Sequence, residues 1–171
     1  MFVSFAPFAL CVDCKMNGQH NYQATIRWTG DKGTGTSGYA AYERSHVIII
    51  ENKTEIQGSA DPTFRGDTSK HNPEDLLLAS LSSCHMLSYL YLCAKAGVVV
   101  VDYVDTATGN MLVMPNGSGK FTEVMLNPVV TVTDNSMIEN ANELHGKAHE
   151  LCFIANSVNF PVGHKPICIL K

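Results

Sequence analysis

The stretch Asn72-Pro73-Glu74-Asp75-Leu76-Leu77-Leu78-Ala79-Ser80-Leu81-Ser82-Ser83-Cys84-His85 leaves the backbone little choice. Asn72 is a strong helix N-cap, and Pro73 suits the first helical position because its missing N–H would have no partner there. Asp75 stands where its carboxylate can accept from the cap's own amide. No Pro or Gly follows until Gly97, the first residue suited to a left-handed stop, so the pattern predicts a helix from residue 73 to about 94 or 95. Leu77, Leu81, Cys84, Ser88 and Tyr91 recur at steps of three and four and are expected on one mostly apolar face with a thiol in its middle. Such a thiol can simply fill core, since free cysteine packs as a small hydrophobe.

A second helix is predicted from the capping box Ser136-Met137-Ile138-Glu139 to about residue 155, with Leu144, Ala148, Leu151 and Cys152 at helical spacing. Two amphipathic helices, each with a cysteine on its apolar side, allow facing thiols in a core-like setting. The rest of the chain reads as short strands. Residues 23–28 alternate, 29–38 form a glycine-rich turn, 47–50 and 54–57 are strands, and together they make an antiparallel meander. Residues 98–106 are strand by composition, 115–119 a hairpin turn, 121–132 one further strand with a bulge or edge at Pro128, and 167–170 a closing strand. The class is α+β, with antiparallel sheets and two long core helices.

At 171 residues the chain is expected to form one domain over 21–171, preceded by an extension over 1–20. The apolar run 2–10 has no basic residue before it and no small-residue cleavage site after it, which argues against a secretory leader. Cys11-Val12-Asp13-Cys14 is a CxxC that could form half a zinc site or a redox pair, but no second CxxC follows and an ordinary extension is the plainer reading. A net charge of -4 with 12 Lys and Arg offers no electrostatic footprint for nucleic acid. No apolar run is read as long enough to span a membrane.

The pairing of Asn72-Pro73-Glu74 and, ten residues beyond the glutamate, Cys84, with Ala148-His149-Glu150-Leu151-Cys152 and Asn156-Ser157, resembles the OsmC/Ohr family of organic hydroperoxide reductases over residues 22 to 171. The resemblance implies an OsmC-like intertwined homodimer with its active sites near the subunit interface, and a cytoplasmic location. Its substrate would be an organic hydroperoxide. Cys84 would be the peroxidatic thiol and Cys152 the resolving one, with a guanidinium near Cys84 that Glu74 orients. Arg65, in the loop 59–71, is the best match for that arginine, and Arg27 is the alternative. No cofactor or metal would be bound. An external dithiol, of the lipoyl type in part of the family, would reopen the disulfide, and neither nucleic acid nor membrane is a partner.

Each residue type has a chemical reason. Only a thiolate attacks the peroxide bond well, so the cysteine needs its pKa lowered from about 8.5. A guanidinium is always charged and donates hydrogen bonds to sulfur, and a carboxylate offsets its burial. The sulfenic acid left by the attack condenses with a second thiol before further oxidation destroys it. Apolar neighbours such as Leu81, Met86, Leu87 and Tyr89 favour alkyl or lipid-like hydroperoxides over hydrogen peroxide.

The histidines allow other readings. His145, His149 and Cys152, with Cys84, can be written as a zinc set, but a closed site of that kind would silence both thiols. His145 is read as surface and His149 as partly buried beside the resolving cysteine. Cys93 and Cys168 are read as buried spectators, and Arg27 and Arg44, most simply, as surface charges. Two rivals stay open. One is a cysteine hydrolase with His85 or His149 as base, disfavoured by a cysteine inside a helix. The other is a non-catalytic relative that binds a small apolar ligand or senses oxidants. The Ser82-Ser83-Cys84-His85 context leaves the OsmC-like and Ohr-like subgroups both open.

Overall fold

The computed structural model describes residues 18–171, so the CxxC of Cys11 and Cys14 lies outside them. Strands β1 (Thr25–Trp28), β2 (His46–Ile49) and β3 (Ile56–Gly58) form the antiparallel meander that the alternation predicts, paired in the order β1-β2-β3. Helix α1 (Pro73–Ala96) follows. Its start is capped reciprocally: the Asn72 side chain accepts from the Asp75 amide at 2.7 Å and the Asp75 carboxylate from the Asn72 amide at 3.2 Å. Gly97 closes the helix at φ 73°, a conformation that glycine adopts without a Cβ penalty.

After α1 come β4 (Val100–Asp105), β5 (Thr108–Val113), β6 (Gly119–Leu126), β7 (Pro128–Val132), α2 (Ile138–Leu151), β8 (Val162–His164) and β9 (Ile167–Leu170). They build two more three-stranded sheets, β4-β7-β9 and β5-β6-β8. The single strand expected over 121–132 is two strands in different sheets. The break falls at Asn127, whose amide donates to the Asp105 carboxylate at 2.7 Å, and Pro128 has no N–H to continue the ladder. A purely antiparallel arrangement is also corrected, because β6 pairs with β8 and β7 with β9 in parallel. Parallel neighbours need a long crossover, and the segment containing α2 supplies it.

The helices differ from expectation in instructive ways. On α1 the buried stripe is Leu81, His85, Tyr89 and Cys93, while Tyr91, assigned to the apolar face, is 52% exposed. Apolar residues lie on almost every side of this helix, so spacing alone does not choose the face. For the same reason α1 is, by length and composition, apolar enough to cross a membrane, which corrects the reading that no run has that character. In this structure it packs against α2 and leaves Leu87 and Tyr91 exposed.

Ser136 does not cap helix α2, which starts after Met137 without a side-chain cap; the capping side chain here is Asp134, one short turn earlier. Asp134 accepts from the Ser136 amide at 2.8 Å and hydroxyl at 2.7 Å, which sets up a 3-10 turn over Asn135–Met137 before the α-helix begins. The helix ends at Leu151, short of residue 155, because Cys152 turns to extended backbone at ψ 106°.

Two apolar clusters form the core. Tyr89, Cys93, Val98, Val130, Val132, Ala141, Leu144 and Ala148 make the first, and Leu81, Val124 and Leu126 the second. Helix α1 feeds both, and Cys84 and His85 sit on it between Leu81 and Tyr89, at the junction of the two clusters. Each fully buried Leu or Val there contributes about 1.5–3 kcal/mol, enough to hold that junction in place.

Candidate active site

Cys84 and Cys152 come together where α1 meets the end of α2. Cys84 is half-buried on α1, Cys152 is 1% exposed one residue past α2, and both are free thiols, near enough for the Cys84 sulfur to act on the Cys152 thiol. Burial pushes the Cys152 thiol up to about 11; the Cys84 sulfur beside it adds to the rise, while the amides of Ala155 and Ile154 oppose it. Cys152 is therefore a protonated thiol at neutral pH. Cys93 is buried and Cys168 half-buried, and burial raises both thiols.

The charged residues singled out in the sequence lie elsewhere in the chain. Arg65 ends the 3-10 turn Pro62–Phe64 in left-handed conformation at φ 65°, with its exposed guanidinium 6.0 Å from the Tyr39 ring centroid. Glu74 is half-buried in the first turn of α1. Ten residues along a helix amount to about 15 Å, so Glu74 cannot touch the Cys84 of its own chain. The expected Arg65–Glu74 ion pair is not formed; the salt bridges among the described residues are Lys32–Glu43 and Lys70–Asp67. Arg27 lies on exposed β1.

The arginine that shares a pocket with Glu74 is Arg44, read from the sequence as a surface charge. Its guanidinium sits 4.2 Å from the Tyr39 ring centroid and 4.3 Å from that of Tyr42, and it donates to the carbonyls of Tyr42 at 2.7 Å and Tyr39 at 2.9 Å. Aromatic faces and two carbonyls hold a guanidinium in one orientation. With Glu74, Trp28, Tyr42 and Phe64, Arg44 lines a largely apolar pocket of about 300 Å³. The signal available in the sequence was the flanking pair Tyr39 and Tyr42.

The histidines differ most from the sequence reading. His145, expected at the surface, is 0% exposed, and His85 is 1% exposed. Their rings are nearly parallel, with His85 Nε2 and His145 Nδ1 3.0 Å apart in a hydrogen bond, so one of the two nitrogens donates and the other accepts. Tyr89 stacks on His145 at 3.9 Å between centroids, and His164 lies 5.5 Å from both His85 and His149. Burial pushes His85 down to about 4 and His145 down to about 3, so both are neutral at pH 7. The spacing Ala141, Leu144, His145, Ala148 is a buried helical stripe, and reading it as such would have placed His145 inside. Among the described residues no group of three or more His, Cys, Asp or Glu is arranged to hold a metal ion.

Comparison with known proteins bears on the family and the fold. The profile of the OsmC-like protein family matches residues 66–165. Among solved structures, an OsmC-like protein of unknown function from Vibrio cholerae is 30% identical at a TM-score of 0.78, the match covering 87% of this chain and 100% of that one. An organic hydroperoxide resistance protein from Elizabethkingia anophelis is 22% identical at a TM-score of 0.65, covering 91% and 100% of the two chains. An OsmC-like protein from Mycoplasma pneumoniae is 15% identical at 0.66, covering 88% and 99%. No curated protein matches the sequence. On the strength of the matched segment, the first of these likenesses and the shared α+β architecture, this chain belongs to the OsmC-like protein family.

Proposed function

We propose that this protein is a thiol-dependent peroxidase that reduces organic hydroperoxides to alcohols through a two-cysteine cycle. The observation that carries the reading is the proximity of a half-buried Cys84 to a buried, protonated Cys152 at the junction of two helices. The Cys84 thiolate attacks one peroxide oxygen, the O–O bond breaks, and the alkoxide takes a proton to leave as alcohol. Cys84 becomes a sulfenic acid. The Cys152 sulfur then displaces hydroxide from it, the thiol proton leaves with that hydroxide as water, and a disulfide forms. An external dithiol, of the lipoyl type on the family precedent, reduces the disulfide and returns both thiols. The apolar residues that neighbour Cys84 in the sequence, Leu81, Met86, Leu87 and Tyr89, favour alkyl or lipid hydroperoxides.

The guanidinium is assigned across a homodimer interface. Glu74 lies too far along α1 to serve the Cys84 of its own chain, and Arg65, Arg27 and the better-anchored Arg44 all lie on or beside the β1-β2-β3 meander. A second protomer that lays this end of its chain over the partner's Cys84 brings both charges to the thiol, and the exposed apolar side of α1, with Leu87 and Tyr91, is a surface such a partner would cover. The cycle is assigned to the cytoplasm, where its disulfide is transient. A rival role as an oxidant sensor shares the dithiol and lacks turnover.

The deciding experiment counts thiols before and after one equivalent of cumene hydroperoxide, and then follows turnover with a dithiol. Loss of two thiols, mapped to a Cys84–Cys152 disulfide, with turnover abolished in Cys84→Ser and stalled after one oxidation in Cys152→Ser, supports the cycle. Normal turnover in both variants refutes it. A disulfide that forms once and never recycles with any dithiol supports the sensor.

A further inference from the structure

Two buried imidazoles are a poor choice for filling space between helices. Burying an unpartnered polar group costs on the order of 1–3 kcal/mol, and outside their mutual bond His85 Nδ1 and His145 Nε2 have no partner. A leucine or phenylalanine at either position would pack at no such cost. What the pair has that an apolar pair lacks is direction. Among the described residues the His85–His145 hydrogen bond is the single hydrogen bond that joins α1 to α2. The remaining contact between the helices is made by apolar side chains such as Tyr89, Cys93, Ala141, Leu144 and Ala148. Apolar ridges tolerate a small slide of one helix along another, whereas one buried polar bond is made in one register only, as a single buried Asn sets the register of a coiled coil.

The thiols depend on that register. Cys84 precedes His85 on α1, and Cys152 follows the last turn of the helix that carries His145, so a slide of α1 against α2 moves the two sulfurs apart by the same amount. We propose that His85 and His145 are a positioning pair whose hydrogen bond fixes α1 against α2 and thereby holds Cys84 and Cys152 in register for disulfide closure. Neither histidine touches the reacting atoms in this assignment. The inference rests on the reading of Cys84 and Cys152 as a working pair, but it does not require that a hydroperoxide be the oxidant.

The test therefore uses diamide. Two thiols lose two electrons and two protons to this diazene, which becomes a hydrazine as the S–S bond forms. The first thiolate adds to the N=N bond, and the second thiol closes the disulfide. The full chain is reduced, mixed with diamide, and sampled by acid quench and peptide mapping for the adduct on Cys84 and for the Cys84–Cys152 disulfide. In His145→Leu the first addition is expected at the wild-type rate, while closure slows by about 10- to 100-fold, the effect of an ångström-scale misplacement. His145→Gln, which can still hydrogen-bond to His85, should recover most of the closure rate. Closure at the wild-type rate in His145→Leu overturns the proposal, and so does equal slowing of both steps. Equal loss in the Gln and Leu variants also overturns it, since the ring's shape would then be what matters.

A measurement on the wild type needs no variant to fold. The ¹⁵N–¹⁵N coupling across the His85–His145 hydrogen bond is sought by NMR in the reduced, folded wild type at pH 7, where it should be resolved between His85 Nε2 and His145 Nδ1. A folded wild type that lacks this coupling overturns the assignment. A wild-type protein that closes the disulfide with diamide but consumes no hydroperoxide would refute the peroxidase reading and leave the positioning pair standing.

Discussion

Acid should weaken this protein through two particular side chains. In the unfolded chain His85 and His145 each take up a proton near 6.5, whereas in the folded chain burial holds them neutral down to about 4 and about 3. The groups facing the pair do not reverse this. His149 on α2 and His164 on β8 oppose a positive charge on His85, Tyr89 on α1 stacks on His145 without charge, and only Asp105 on β4 favours protonation of His85, while its carboxylate already accepts from Ser82 and Asn127. Between those values the unfolded state binds more protons than the folded one, so stability rises with pH and falls as pH drops from 6.5.

Each group contributes a slope of about 1.4 kcal/mol per pH unit once the unfolded histidine is charged, and the two together remove about 5 kcal/mol between pH 7 and pH 4.5. That is comparable with the whole stability of a marginal domain. The window lies above the carboxylates with lowered pKa: Asp31, Asp61, Asp67 and Asp134 keep their contribution above 3.8 and lose it only below. Urea unfolding followed by circular dichroism at pH 7, 6, 5 and 4.5, at one protein concentration, measures the slope, and His145→Leu should roughly halve it. A wild-type loss under about 1 kcal/mol across this range, or an unchanged slope in the variant, would refute the reasoning.

Three further outcomes follow from named contacts. Iodoacetamide at pH 7.5 should label Cys84 well before Cys152, whose labelling should accelerate only as pH rises toward about 11; peptide mapping decides, and equal rates at pH 7.5 would contradict the burial of Cys152. Replacing Asn72 by Ala removes the acceptor for the Asp75 amide and should cost about 1 kcal/mol of stability, most of it kept by Asn72→Ser, and a chemical melt that does not distinguish the three proteins would argue against the cap. A Cβ at Gly66 would overlap the backbone carbonyl of Ala60, so Gly66→Ala should destabilise by about 1–3 kcal/mol through displacement of the loop that carries Arg65; an unchanged melting temperature would mean that the loop yields freely.

What the sequence determines by itself is whatever rests on neighbours in the chain. The bounds of α1 are legible because Asn72, Pro73, Asp75 and Gly97 act within one turn of where they stand, and the β1-β2-β3 meander is legible because alternation and short turns are local. Cys84 and Cys152 could be singled out as a pair from helical spacing and a family resemblance. The tertiary structure alone decides which side of an all-round apolar helix faces the core, that residues 121–132 split between two sheets, and that the last strands run parallel to β6 and β7. It also decides that two histidines from different helices meet inside and that Arg44 is gripped by two tyrosines beside Glu74. The reason is the same in every case: burial and long-range pairing are properties of what the rest of the chain brings to a residue, and a residue's own neighbours in sequence carry no record of them.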